Sequence, residues 1–174
     1  MRWSFAVACL SILAVPAGAQ TEAPRLNKSE SQALADGLNF LAHAVALLQF
    51  GAQVQSDTAF YHDLTGFPFD YYVNFAGRHG QVTSALFLDS AAVEAREAER
   101  RLARIPAPID SDIVSLRQAA AGIDTAFVRK LKGQLSRDEV SAGSPPGLAL
   151  LTMAAILEQQ LTTVRYRYNI AYPH

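Results

Sequence analysis

Two histidines and a neighbouring aspartate are the first residues in this chain whose types could support chemistry. His62, Asp63 and His79 offer two imidazoles and a carboxylate, which are ligands that zinc and related metals bind. Such a site needs three or four ligands that converge in space, and no HxxxH or HxxE spacing places two of these residues on one helix face. A metal-binding protein or metal-dependent enzyme built on these three residues is therefore an alternative interpretation.

Aromatic side chains are concentrated in the same part of the chain. Seven of the 16 aromatic residues fall between positions 60 and 75. Their rings bury large apolar areas, and tyrosine hydroxyls can orient a polar ligand. We predict that this segment binds a partner protein or an apolar small molecule, although an extra core layer over one end of the fold explains the same composition. The predicted ligand-binding residues are Tyr61, Phe67, Phe69, Tyr71, Tyr72 and Arg78.

Other familiar kinds of site find little support in the sequence. Covalent haem needs two cysteines, a di-iron site needs paired Glu-x-x-His motifs, and a serine hydrolase of one common type needs Gly-x-Ser-x-Gly; none of the three is present. His43 and Met153 could ligate a non-covalent haem, but core positions explain both. Asp110 and Asp112 could act as acid and base, yet a helix N-terminus accounts for them. The sequence therefore predicts no cofactor and favours a protein that is not an enzyme.

The first nineteen residues have the features of a secretory signal peptide. Arg2 gives a positive start, residues 4–15 are apolar, and Ala17, Gly18 and Ala19 fit cleavage before Gln20. The apolar run is shorter than the roughly 20 residues that span a bilayer. Cleavage would also remove the only cysteine, Cys9. A thiol-free exported chain favours a Gram-negative periplasm, so we expect a periplasmic or secreted protein.

The remaining chain is the size of one domain. After removal of the signal peptide (residues 1–19), residues 20–26 form a polar leader and residues 27–174 a single domain. Loss of Arg2 from 15 basic residues leaves 14 against 16 acidic ones, which is no basic excess for nucleic acid. The apolar stretch 148–157 ends at Glu158, so we expect no membrane span in the mature chain. Its oligomeric state is left open.

Apolar residues recur at alternating spacings of three and four in four stretches, which is typical of amphipathic helices. Asn27 and Glu30 have the spacing of a capping box, Asp110 or Ser111 can cap the third helix, and Pro145 suits the first position of the fourth. The predicted seams are Leu34, Leu38, Leu41, Val45, Leu48 and Ala52; Leu88, Ala91, Ala95, Ala98, Leu102 and Ile105; Ile113, Leu116, Ala120, Ile123, Phe127 and Leu131; and Leu150, Ala154, Leu157, Leu161, Val164 and Tyr168.

Four such helices, each longer than twenty residues, predict an all-α antiparallel four-helix bundle. A long aromatic-rich crossover would join helices 1 and 2. Within it, residues 71–88 allow a β-hairpin, but a helix starting near Ser84 is favoured because the second seam begins there. The first helix carries a second apolar line and should be apolar on most of its girth. That girth motivates a third interpretation, a structural subunit of a cell-envelope complex.

Overall fold

Every regular element that the structure describes is an α-helix. The computed structural model describes residues 23–52, 84–106, 110–123, 125–135 and 145–171. The all-α prediction is confirmed, and residues 84–88 are helical rather than part of a hairpin. The helices are α1 (Lys28–Ala52), α2 (Ser84–Leu102), α3 (Ser111–Ala121), α4 (Thr125–Leu135) and α5 (Pro145–Tyr168).

Helix α1 begins at the predicted capping box and forms the centre of the core. The Asn27 side chain accepts from the Glu30 amide at 2.9 Å, while the Glu30 carboxylate accepts from the Asn27 amide at 2.8 Å. Two amides that a helix start would leave unpaired are thereby satisfied. Nearly all of the second half of α1 is buried, against α2 and α5. The apolar girth of this helix is thus covered within the chain itself.

Helix α2 runs antiparallel to α1 and approaches it closely. Contacts between the two pair residue 51 with residue 87 at one end and residue 37 with residue 102 at the other. Close approach depends on small side chains, and the predicted alanine seam of α2 is confirmed because Ala91, Ala95 and Ala98 are fully buried. At Gly37 a Cβ would lie only 2.8 Å from Leu102 Cδ2. No larger residue fits there without displacing the core.

The third predicted helix is two helices, so the prediction of one helix longer than twenty residues was wrong at this point. Helix α3 ends at Ala121, and Gly122 donates its amide to the carbonyls of Gln118 and Ala119 at 3.0 and 3.1 Å. A glycine disfavours helix continuation by about 1 kcal/mol relative to alanine. The seam itself survives the break: Ile113, Leu116, Ala120, Ile123 and Leu131 are all buried, and Phe127 packs against the core. The described part of the second helix is 19 residues long.

Helix α5 packs on α1 and on α3 and is antiparallel to both. Its side chains reach Asn39 and Gln49 of α1 and the start of α3 near Asp110. Helices α3 and α4 also contact α2. The predicted seam of α5 is buried from Leu150 to Val164, with Tyr168 partly buried. The core therefore lies between α1, α2, the α3 and α4 pair, and α5.

Two of the described helices are long and apolar enough to cross a membrane by length and composition alone. They are Lys28–Ala52, whose most apolar window is 67% buried, and 146–168, whose window is 33% buried. Buried core helices of soluble proteins meet the same criterion, which accounts for α1. The second helix differs, because two-thirds of its window is exposed or only partly buried. The prediction that the mature chain has no membrane span stays a prediction.

Candidate functional surface on the last helix

The residues predicted to bind a ligand or a metal all belong to one segment. Residues 53–83 lie outside the described part of the chain. This range contains Tyr61, Phe67, Phe69, Tyr71, Tyr72 and Arg78 of the predicted ligand site, and His62, Asp63 and His79 of the alternative metal site. Among the residues that are described, no group of three or more His, Cys, Asp or Glu side chains could hold a metal ion.

The remaining histidine with a predicted role is held by a carboxylate. His43 Nδ1 lies 3.3 Å from Glu94 Oε2, and both side chains are about three-quarters buried. The contact joins α1 to α2 near the middle of both helices. Met153 belongs to α5 and packs against the core. Of the two residues suggested for haem ligation, His43 therefore lies between two helices and Met153 packs against the core.

A buried polar cluster links the start of α3 to the end of α5. The Asp110 side chain is 1% exposed and accepts from the Asp112 amide at 2.8 Å and from the Tyr168 hydroxyl at 2.7 Å. Arg167 donates to Asp112 Oδ2 at 2.7 Å and to Asp110 Oδ1 at 3.3 Å. The predicted capping role of Asp110 is confirmed. Its partners on α5 were not predicted, since only residues 57 and 58 positions further along the chain supply them.

Electrostatics of this cluster favour the protonation states that hold it together. Burial raises the pKa of the Tyr168 phenol above its ordinary value, and the hydrogen bond to Asp110 raises it further. The hydrogen bond to Asp112 raises the pKa of the Arg167 guanidinium, and both carboxylates add to this effect. Tyr168 thus remains a neutral donor and Arg167 a cation at ordinary pH. Because both of its carboxylate oxygens accept from protein donors, Asp110 is suited to fastening two helix ends rather than to proton transfer.

A second polar tie fixes the end of α5 onto α1. The side chain of Arg165, a residue that is 3% exposed, donates to Asn39 Oδ1 at 3.0 Å and to the carbonyl of Ala171. Asn169 has a φ of 52°, and the amides of Asn169 and Ile170 donate to the carbonyls of Tyr166 and Arg165. This is the hydrogen-bond pattern of a Schellman cap. The cap turns the chain back so that Ala171 reaches Arg165.

The outer face of α5 is nearly free of charge. We define this face by the nine exposed residues between positions 148 and 166, of which only Glu158 is charged at neutral pH. On α2, by contrast, three of the four exposed residues are charged: Asp89, Arg96 and Arg100. The nine residues of the α5 outer face are Leu148, Thr152, Ala155, Ile156, Glu158, Gln159, Thr162, Thr163 and Tyr166.

Large apolar side chains are exposed on this same face. Leu148 is 53% exposed, Ile156 46% and Tyr166 79%, and the fourth large exposed apolar residue among those described, Val93, lies on α2. Single exposed apolar residues are normal on a protein surface. These three differ from Val93 in sharing one helix face on which only Glu158 is charged. A polar groove of about 280 Å³ runs beside this face and is lined by Asp112, Ser115, Gln159, Gln160 and Thr163.

Sequence reasoning missed this surface for an identifiable reason. The seam of α5 was predicted correctly, and the residues opposite a seam are the expected outer face. Their low charge was visible in the sequence, where residues 148–166 contain only Glu158 and Arg165 as ionisable groups other than tyrosine. What the sequence left open was whether another element of the chain covers that side. In the structure Arg165 points inward, so it adds no charge to the outer face.

Comparisons with known proteins add no relative: no family model, curated protein or solved structure matches this chain.

Proposed function

We propose that this chain is an exported, non-enzymatic helical protein that binds another protein through the outer face of α5. One observation carries the proposal: a five-turn helix face with a single charged residue displays three of the four large exposed apolar side chains among the described residues. Burial of a large apolar side chain contributes about 1.5–3 kcal/mol. The half-exposed residues Leu148 and Ile156 and the more exposed Tyr166 would each gain a substantial part of that amount on a partner.

The chemistry of the face also describes the partner. A charged surface placed against it would lose hydration without gaining an opposite charge in return. An uncharged surface of apolar and small polar side chains loses little and gains apolar burial. The partner is therefore a protein with an apolar, weakly charged contact surface. Such an interface suits a structural subunit of a cell-envelope complex. The support for that interpretation now comes from the outer face of α5, because the apolar surface of α1 is buried.

Site-specific crosslinking in the compartment that holds the protein tests this proposal. A photoreactive residue at position 156 should give a discrete adduct, and the same residue at Val93 on α2 should not. A second substitution, Tyr166→Lys, in the chain that carries the probe at position 156 should abolish the adduct because it places a charge in the interface. Val93→Lys serves as the matched control and should leave the adduct unchanged. Equal adducts from positions 156 and 93, or an adduct insensitive to Tyr166→Lys, would contradict the proposal.

The aromatic crossover is a second proposed binding region, for a partner protein or an apolar small molecule. Its support is compositional, as it holds seven aromatic residues within sixteen positions. Tyr71→Ala with Tyr72→Ala should weaken binding of an apolar fluorescent probe, whereas Tyr166→Ala should not. For the metal alternative, elemental analysis of the purified protein gives the test. Stoichiometric metal that is lost in a His62→Ala, His79→Ala variant would favour it over a non-metal binding role.

We also propose that the architecture is an antiparallel four-helix bundle in which α3 and α4 together form the third member. The antiparallel contacts of α1 with α2 and with α5, and of α3 with α5, support this arrangement. Export rests on the predicted signal peptide of residues 1–19.

A further inference from the structure

We infer that a cleft between the start of α1 and the end of α2 binds a small phosphate dianion, either free or as a monoester. The cleft has a volume of about 520 Å³, which lies within the usual range of small-molecule sites. It shares no residue with the outer face of α5, so this binding site is additional to the proposed docking function. Its lining consists of Lys28, Ser29, Gln32, Ala33 and Asp36 of α1, Arg101 of α2 and Arg104 of the turn that follows α2.

Helix periodicity brings these side chains together. Lys28, Gln32 and Asp36 are four positions apart in succession, so they lie on one line along α1. Ser29 and Ala33 form a second line beside it. Ala33 is 4% exposed, and its short methyl group leaves room between the longer side chains around it. Because α2 is antiparallel to α1, the last turn of α2 adds its cations to the first turns of α1.

Positive charge exceeds negative charge in the lining of the cleft. Three of its seven residues are cations and only Asp36 is acidic. That carboxylate is already engaged, since it accepts from Gln32 Nε2 at 2.7 Å and from Arg101 at 3.3 Å. In the part of the chain that the structure describes, no carboxylate forms an ion pair with Lys28 or Arg104. A cleft lined by an excess of one sign attracts small ions of the opposite sign.

Nearby acidic residues do not cancel this excess within the cleft. The Glu30 carboxylate accepts from the Asn27 amide in the capping box. Glu97 accepts from Arg100, which is its ion-pair partner on α2. Neither glutamate belongs to the lining. An anion entering the cleft therefore meets one carboxylate that is already paired and three cations.

Arg101 is held in position before a ligand arrives. Its guanidinium donates to Asp36 and lies 5.7 Å from the centroid of the Phe40 ring. A guanidinium has five N–H donors, so the contact with Asp36 leaves others for a ligand. The side chain is also 31% exposed, which gives a ligand access to it. Because its position is already fixed, Arg101 loses little rotamer freedom when an anion binds.

The number of donors favours phosphate over a carboxylate. A phosphate monoester carries up to two charges and three acceptor oxygens on one group, whereas a carboxylate carries one charge and two oxygens. One phosphate can therefore face cations from both helices and the Ser29 hydroxyl at once. Lys28 and Arg104 are exposed, so water screens their charges. We accordingly expect reversible binding with a Kd on the order of 0.1–1 mM.

Amide NMR of the protein, titrated at constant ionic strength, tests the site and its ligand. Inorganic phosphate and methyl phosphate, at about pH 8 where the monoester carries two charges, should give saturable shifts centred on residues 28–36 and 101–104. Acetate should bind at least tenfold more weakly. Binding of either phosphate supports the inference, and the tighter one shows whether the site prefers the free or the esterified form. It is overturned by acetate binding equal to phosphate, or by no saturable shift up to about 20 mM phosphate, far above the expected Kd.

Two charge-matched double variants locate the binding. Lys28→Gln with Arg104→Gln should weaken phosphate binding at least tenfold, because both cations border the cleft. Arg129→Gln with Lys130→Gln removes the same two kinds of charge from exposed positions of α4 and should leave binding unchanged. Equal losses in the two double variants indicate a general effect of net charge and overturn the assignment of the site.

Ser29→Asp separates binding from folding. A carboxylate in the first turn of a helix is favourable for the helix dipole, so the Tm measured without phosphate should not fall. The same carboxylate places a negative charge in the cleft and should weaken phosphate binding at least tenfold. Undiminished phosphate binding by Ser29→Asp overturns the inference.

Discussion

At the scale of single residues, Asp110 is the one carboxylate that is buried in the described part of the chain. A carboxylate this buried is stable only because it accepts from an amide and a hydroxyl and lies beside a guanidinium. Its sequence position at a helix start predicted one of these contacts. The other two depend on α5 ending against α3, which the local sequence does not encode.

Asp110→Ala should lower the free energy of unfolding by about 2–4 kcal/mol. The substitution removes a helix cap, worth about 1 kcal/mol, and leaves the Tyr168 hydroxyl and the Arg167 guanidinium without an acceptor they now share. Asp110→Asn should lose less because the amide oxygen can still cap the helix. Urea denaturation measures both, and Gln118→Ala on the exposed side of α3 is a control expected to change stability by less than about 0.5 kcal/mol. Equal effects of the alanine variants at 110 and 118 would contradict the buried cluster.

Tyr168 should make the protein less stable at alkaline pH. Its pKa is raised in the folded state, so the stabilisation is fully present below the pKa of the unfolded phenol, about 10, and is lost as the pH rises beyond it. Urea denaturation at pH 7, 9, 10 and 11 should show a fall in stability above pH 10 that Tyr168→Phe reduces. Tyr166→Phe, at a residue that is 79% exposed, should leave the alkaline fall unchanged. If the two variants behave alike, neither the burial of Tyr168 nor its hydrogen bond to Asp110 raises the pKa of the phenol.

At the scale of helices, small residues set how closely α1 and α2 approach. Glycine is required at that contact, whereas a glycine in α4 can be replaced. Gly37 faces Leu102 at a distance that leaves no room for a side chain, whereas a Cβ at Gly133 in α4 would meet no atom within 4 Å. The two glycines look alike in sequence, since both lie within helices. Only the packing distinguishes a required glycine from a replaceable one.

Gly37→Ala should destabilise the protein by about 1–3 kcal/mol, because overpacking against the buried Leu102 outweighs a gain in helix propensity of about 1 kcal/mol. Gly133→Ala should raise stability by up to about 1 kcal/mol for the same propensity reason. Thermal unfolding of the two variants therefore gives shifts in Tm of opposite sign. A rise in Tm for Gly37→Ala would show that α1 and α2 are further apart than described.

At the scale of the whole molecule, the buried polar contacts of α5 and its weakly charged outer face lie on different parts of the helix. The buried ties of Asp110, Arg165 and Arg167 lie where α5 ends, and the outer face of the same helix carries almost no charge. Those ties fix the direction in which α5 presents its outer face. A docking surface on a regular, anchored helix is better ordered than one on a loop.

Export predicts a specific mature N-terminus. Expression of the full chain in a Gram-negative host should yield periplasmic protein whose first residue is Gln20, detected by intact mass and N-terminal sequencing. Replacement of Ala17 and Ala19 by bulky residues should block cleavage, since the processing site requires small side chains. Full-length protein that stays in the cytoplasm would contradict the prediction.

Local patterns in the sequence were enough to predict the helical class, the helix seams and two N-terminal caps. Helix periodicity and capping depend on residues within a few positions of one another, so the chain states them directly. Tertiary structure alone decided that Arg167 and Tyr168 hold Asp110, and that no other helix within the described residues buries the outer side of α5. Each of these depends on which distant surfaces meet, and contact between surfaces more than fifty residues apart is set by packing of the whole core.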